Sequence, residues 1–304
     1  MQVRKSFSRD HTRFGKFRAA RFGGRFRLLK NAAATTLAAF FMASSPALGT
    51  IPANPVMIAP VERGPALWVI QDVDTTIYLF GTFHALDSQT KWFNRSVRAA
   101  FDASDELVLE TLVPEDPAEL HAILARHALA REPKIGEPVV TSDRAPSFVA
   151  SAGQAMSAGR AAGMSVEQGA DAVLRRAANA SGKPVEGLES FEFQLRMFSS
   201  LPPPPKAAGR QASNAGGLLG DMQAAWRRGD NAAFAAVLGN VRAASPQTYK
   251  TLFSERNSNW AGWVAERMAK PGTVFVAVGT GHLIGPDSVQ DQLAARGFRS
   301  ARIS

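Results

Sequence analysis

Apolar and polar positions alternate along this chain in short β-like runs separated by longer stretches of helical period. Ala66–Gln71 and Thr75–Gly81 read as two strands around the turn residues Asp72–Asp74. Phe93, Val97, Ala100 and Phe101 then recur at helical spacing, and Glu106–Leu109 follows as a short strand ending at Glu110. Asp116-Pro117 reads as an N-cap with proline in the first helical position, ahead of the stripe Leu120, Ile123 and Leu124. Residues 131–160 mix Pro, Gly and Ser with apolar positions and give no clear period.

Ser165 and Gln168 predict a capping box, followed by a helix that buries Val166, Ala170, Val173, Leu174 and Ala177 and stops near Gly182. Lys183–Leu188 is another strand, ending at Glu189, and a helix carrying Phe191, Leu195 and Phe198 comes next. Pro202–Pro205 breaks the chain, and residues 201–218 read as a Pro/Gly-rich loop or lid. Helices are expected around 219–240 and 247–268. Thr273–Val278, the most β-like run, leads to Gly279 and His282; a last helix near Asp287–Arg296 and a short strand at Arg302 finish the chain. Strand–helix alternation makes this an α/β fold with a mostly parallel central sheet, and a large helical insertion between the Glu189 strand and the His282 strand.

Charge changes the picture only at the N-terminus. The formal net charge is +9, but residues 1–49 hold ten Lys/Arg against the single acid Asp10, which leaves 25 bases and 25 acids for residues 50–304. The body is neutral overall, so the totals give no nucleic-acid footprint. The basic stretch runs into the uncharged Asn31–Phe41 and then Ala47-Leu48-Gly49. This pattern predicts a secretory signal peptide over 1–49 with a long basic n-region, and a linker over 50–63. Export to the periplasm or beyond is the expectation, with an uncleaved N-terminal anchor as the alternative. No other segment is long and apolar enough for a transmembrane span. The absence of cysteine excludes thiolate catalysis and Cys-ligated metals.

Two near-copies stand out: Gly81-Thr82-Phe83-His84 and Gly279-Thr280-Gly281-His282, each just past a β-like run. Glu110 and Glu189 occupy equivalent positions at the ends of their own strands. In parallel α/β sheets that edge is where ligands bind, so His84, Glu110, Glu189 and His282 are the candidate ligands of a divalent transition metal (Mn, Co, Fe or Zn) that would activate water. Glu110 or Glu189 could instead serve as general base. The glycines suit a turn that needs positive φ or a close backbone approach. Arg256 and Asn257 fall within the apolar stripe Leu252, Phe253, Trp260, Trp263 and Val264. A buried arginine needs an anion, and Arg256 either orients a ligand carboxylate or substrate, or forms a structural salt bridge, with Asp171 as one partner. His121 and His127, six apart on a helix, cannot form a ligand pair and read as structural or exposed.

Over residues 64–304 the chain resembles the TraB/PrgY/GumN family, related to the Tiki proteases and more distantly to the erythromycin esterases and ChaN haem-binding proteins. The resemblance rests on Leu79-Phe80-Gly81-Thr82-Phe83-His84, Leu107-Val108-Leu109-Glu110, Gly169-Ala170-Asp171, Gly187-Leu188-Glu189-Ser190 with Gln194, Glu255-Arg256-Asn257 with Trp260, and Val278-Gly279-Thr280-Gly281-His282. It implies an erythromycin esterase/ChaN-like sheet and a metal-dependent active site at His84, His282, Glu110 and Glu189. Ser190 stands where threonine is expected in many relatives. The activity implied is an exported metallohydrolase, foremost a peptidase acting on a peptide or other small polar substrate. The alternatives are a non-catalytic binder of haem or polysaccharide, and an exopolysaccharide-accessory protein.

Overall fold

The computed structural model describes residues 64–126, 148–202 and 215–304, all within one compact unit spanning Met57–Ser304. The expected signal peptide, the linker 50–63, His127 and residues 203–214 of the expected lid lie outside the described residues.

Six strands make the central sheet, in the order β6-β4-β7-β2-β1-β8. These are β1 (Leu67–Gln71), β2 (Thr75–Thr82), β4 (Glu106–Leu112), β6 (Val185–Ser190), β7 (Gly272–Gly279) and β8 (Ala301–Arg302). The four strands β6, β4, β7 and β2 are mutually parallel, while β1 runs antiparallel to both β2 and β8. The mostly parallel α/β sheet expected from the sequence is therefore present. Two bridging pairs, β3 (Leu86–Asp87) and β5 (Met164–Ser165), form a separate small sheet that the sequence pattern did not reveal.

Strand β7 explains the layering. Phe275 and Ala277 point into one apolar cluster, and Val274, Val276 and Val278 into the other, as the two-residue period of a strand requires. A parallel strand covered on both faces reads as an unbroken apolar run for this reason. On the Phe275 face pack α1 (Arg95–Asp102), α4 (Ala170–Ser181), α6 (Ala215–Arg227) and α7 (Asn231–Ala244). Phe80 stacks there on Trp92, with ring centroids 5.6 Å apart. On the other face pack α9 (Glu255–Arg267), through Trp260, Ala261 and Val264, and α10 (Val289–Ala294). Each fully buried side chain of this kind contributes about 1.5–3 kcal/mol. Helices α6, α7 and α9 all come from the stretch between β6 and β7, so that stretch completes the core on both faces.

Several boundaries moved. Strand β4 runs on to Leu112 because Thr111 and Leu112 pair with Glu189 and Ser190 of β6, so both glutamates sit inside strands at their carboxyl ends. Ser165 caps a short 3-10 turn, Val166–Gln168, and α4 starts only at Ala170; Val166, expected in the core, is exposed. In α5 (Phe191–Ser200) the buried positions are Gln194 and Met197, one step round from the expected stripe of Phe191, Leu195 and Phe198. The expected helix at 219–240 is two helices, with Asp230 capping α7, and Ala215–Leu218 of the expected lid already belong to α6. The remaining helices are α2 (Pro117–Arg126), α3 (Phe148–Ala161) and α8 (Pro246–Tyr249), the last followed by a π-helical turn, Lys250–Ser254, that runs straight into α9. No described helix is long and apolar enough to cross a membrane.

Candidate active site

The parallel block sets the four candidate side chains in a row along one sheet edge: Glu189 on β6, Glu110 on β4, His282 just after β7, and His84 just after β2. The two near-copied strings are neighbours there. Thr82 pairs with Gly279 across β2 and β7, and the Thr280 hydroxyl donates to the Thr82 carbonyl at 2.9 Å. His121 of α2 is exposed.

What stands among them is Arg256. Its Nε and Nη2 donate to the two oxygens of Glu189 at 2.8 and 2.7 Å, and Nη2 also donates to Glu110 Oε1 at 2.6 Å. Its Nη1 reaches His282 Nε2 at 3.1 Å and the Leu252 carbonyl at 3.1 Å, the latter in the π-helical turn. Arg256 is 4 % exposed. Burial works against its charge, but the bonds to Glu189 and Glu110 outweigh that and push its pKa upward. The salt-bridge reading of Arg256 is the one seen in this structure, and its partners are Glu110 and Glu189 rather than Asp171.

Gln194 Nε2 adds donations to Glu110 Oε1 (2.9 Å) and Glu189 Oε2 (3.2 Å), and Trp260 Nε1 donates to Glu189 Oε1 (3.1 Å). Each oxygen of Glu189 thus accepts two donors. The Gly279 N–H donates to Glu110 Oε2 at 2.9 Å. Burial alone would raise the Glu110 pKa; the Arg256 guanidinium, by charge and hydrogen bond, and the His84 imidazolium overcome it and hold the carboxyl well below the usual carboxylate range.

The tautomer of His282 follows from its neighbours. Asn257 Nδ2 donates to the Asp287 carbonyl at 2.7 Å, which turns Asn257 Oδ1 toward His282 Nδ1 at 2.6 Å. Nδ1 therefore carries the proton, and Nε2 accepts from Arg256. Burial first, then the positive charge of Arg256, pushes the His282 pKa down to about 3. The ring is also packed against Trp260, with centroids 4.4 Å apart.

His84 differs from the other three. Its side chain is 57 % exposed, and its Nδ1 donates to Asp171 Oδ1 at 3.0 Å. Asp171 is the second residue of α4. That helix approaches because Gly169 lies against the His84 turn: a Cβ on Gly169 would fall 2.2 Å from the His84 carbonyl oxygen, and the Ala170 N–H bonds to the Phe83 carbonyl. The Asp171 charge pushes the His84 pKa up to about 9, a pull that water around the open ring screens. His84 Nε2 faces the space beside Gly279, where an added Cβ would lie 3.1 Å from Nε2 and 3.2 Å from Glu110 Oε2. The close approach anticipated for the glycines is thus their reason here; neither Gly81 nor Gly279 has positive φ.

A four-ligand metal does not fit this arrangement. Both oxygens of Glu189 and the free nitrogen of His282 are taken by Arg256, and among the described residues no three His, Asp or Glu side chains are placed to hold an ion together. His84 Nε2 and Glu110 Oε2 are the two ligand-type atoms that border the spot where a Gly279 side chain would stand. A wide recess of about 660 Å3 beside Lys91, Asn94, Arg227 and Arg228 contains none of these residues.

Three residues of the site stand in the motifs of the family resemblance without a role that the sequence pattern assigns. Gln194 interrupts an apolar stripe, Asp171 is offered there as a partner for Arg256, and Trp260 belongs to the apolar stripe around Arg256. The available signal was the buried polar position in α5 and the acidic residue directly behind Gly169-Ala170.

The TraB/PrgY/gumN family profile matches residues 66–139 and 134–302, nearly all of the described chain. The chain belongs to the TraB/PrgY/gumN family. Among curated proteins and among solved structures, none matches it.

Proposed function

We propose that this TraB/PrgY/gumN protein is a hydrolase of peptide bonds whose acid–base residue is His84. The observation that carries the proposal is the Asp171–His84 hydrogen bond, which fixes the proton on Nδ1 and leaves Nε2, like Glu110 Oε2, bordering the spot beside Gly279, on the one exposed side chain among the described residues of this cluster. An acid–base residue must reach its proton within hydrogen-bond distance, with its other nitrogen held by an orienting group.

In the proposed cycle, neutral His84 Nε2 takes a proton from a water lying between it and Glu110 Oε2. The water oxygen bonds to the scissile carbonyl carbon, and the C–N bond then breaks as the His84 imidazolium returns the proton to the leaving nitrogen. Glu110, kept ionised, accepts a hydrogen bond from the second water hydrogen, which leaves on the new carboxyl group, and stabilises the imidazolium. Arg256, Gln194 and the Gly279 N–H hold Glu110 in place, and Glu189 holds Arg256. A divalent metal belongs to this proposal only if Arg256 withdraws from Glu189 and His282. Export rests on residues 1–49 and predicts a mature N-terminus near Thr50.

The deciding experiment is a peptide-library digestion by wild type and His84→Ala, read by mass spectrometry. Discrete cleavage by the wild type, lost in the variant, supports the proposal. Equal cleavage by both, or none by either, overturns it.

A further inference from the structure

One residue along the chain from His84 lies a small apolar cavity. It has a volume of about 100 Å3 and is lined by Ala85, Met156, Gly159, Met164, Val166 and Leu219. Consecutive Cα atoms are about 3.8 Å apart, so the cavity wall begins beside the acid–base histidine. The pairing of Leu86 with Ser165 and the fit of Gly169 against the His84 backbone fix that wall to the His84 turn. The charged residues bordering the cavity, Arg160 and Glu167, are both exposed, and the Ser165 hydroxyl at its wall accepts from the Gln168 N–H at 3.3 Å, which leaves most of the interior to aliphatic and thioether groups.

The surroundings are apolar at positions where a folded chain usually is not. Val166 is 41 % and Leu218 46 % exposed beside the cavity. Val113, directly beyond β4, and Phe193, in the first turn after β6, are 42 % and 40 % exposed near the ends of the strands that carry Glu110 and Glu189. Of these, Val166 is part of the cavity wall itself, so an apolar side chain there is both exposed and in contact with the cavity.

We propose that this cavity is the specificity pocket of the hydrolase, receiving one aliphatic side chain of the substrate, of leucine or methionine type, next to the bond attacked at His84. Size makes the choice. An apolar cavity of about 150 Å3 accommodates a benzene ring, so one of about 100 Å3 suits an aliphatic side chain and is too small for an aromatic one. The unbranched, polarisable methionines let the wall adjust to either. Two positions set the dimensions. Leu219 lines the cavity from α6. A Cβ on Gly159 would come within 3.3 Å of Leu219 Cδ1, so the glycine keeps the pocket open.

The inference rests on the hydrolase reading, and its test separates the two. Rates are measured on a peptide series varying one residue through Ala, Leu, Met, Phe and Asp, with wild type, Leu219→Ala and Gly159→Ala. In parallel, the methyl resonances of Met156 and Met164 are followed in methyl-labelled full-length protein titrated with N-acetyl-leucinamide, N-acetyl-alaninamide or N-acetyl-phenylalaninamide. Wild type should favour Leu and Met in kcat/KM, Leu219→Ala should shift the preference toward Phe by about 10-fold or more, and Gly159→Ala should shift it toward Ala; a pocket methylene is worth about 10–200-fold. Both methyl resonances should move selectively with the leucine amide. Selective methyl shifts without cleavage of any peptide would support the pocket while overturning the hydrolase reading. Cleavage without preference, a preference untouched by Leu219→Ala, or methyl resonances blind to the leucine amide would overturn the pocket.

Discussion

Arg256 grips Glu189 through two parallel hydrogen bonds, Nε to Oε1 at 2.8 Å and Nη2 to Oε2 at 2.7 Å, in a setting where the guanidinium is 4 % exposed. Removing one member of a buried pair leaves the other charge without a partner, which costs about 3–5 kcal/mol. Arg256→Ala should therefore lose stability on that scale, seen as a lower urea midpoint. Arg256→Lys should also be destabilised, because an ammonium cannot reproduce the planar fork that reaches Glu110, Glu189 and His282 together. A midpoint within error of wild type for Arg256→Ala would show that the pair does not hold the cluster.

The same fork leads to a prediction about metals. With both Glu189 oxygens and His282 Nε2 engaged, purified protein should carry well under one tightly held transition metal per chain, and turnover should survive dialysis against EDTA. Elemental analysis beside the activity assay checks this. One Mn, Co, Fe or Zn per chain, with activity lost on its removal, would restore His84, Glu110, Glu189 and His282 as ligands and require Arg256 to swing out.

How far the sequence reached can be argued from these residues. The parallel strands were legible because a strand buried on both faces must be apolar throughout, as Val274–Val278 is. Their common edge followed, and with it the meeting of His84, Glu110, Glu189 and His282. Strand order was not legible: β7 is the last of the four parallel strands in the chain yet lies between β2 and β4, a pairing that no local pattern records. The contacts of Arg256 were hidden for a related reason. Its burial could be read from the stripe around it, but which carboxylates faced it depended on helix α9 meeting two strands from elsewhere in the chain. The partner of Asp171 was hidden in the same way, since it depends on the fit of Gly169 against the His84 turn, which brings α4 to that histidine.

His84 is exposed and sits outside the buried network, so its replacement should separate function from folding. His84→Ala should lower kcat/KM by about 100- to 10,000-fold, the usual contribution of a positioned acid–base group, and leave the thermal midpoint nearly unchanged. Asp171→Asn should reduce activity less, and it should also move the pH profile. In wild type the base must be unprotonated, and Asp171 pushes its pKa up from 6.5 to about 9. Wild-type kcat/KM should thus rise with pH across that interval, while the Asp171→Asn limb falls at lower pH. Coincident profiles would remove Asp171 from the mechanism.

His282 makes the opposite pH statement, in stability rather than rate. Its folded-state pKa is depressed to about 3 against 6.5 unfolded. Below pH 6.5 the unfolded chain takes up a proton that the folded chain refuses, so stability falls as pH drops from 6.5 toward 3, by about 1.4 kcal/mol per unit from this group. Above pH 6.5 both states leave the ring neutral and this contribution is flat. Other groups also titrate on the acid side, so the comparison is with His282→Gln, whose amide can still donate to Asn257 and accept from Arg256 but does not titrate. Urea midpoints measured from pH 8 to pH 4 on EDTA-treated protein should fall more steeply for wild type than for His282→Gln, with the curves diverging below about pH 6.5. Parallel curves would mean that His282 takes its proton in the folded state, and that Arg256 does not hold Nε2 as an acceptor.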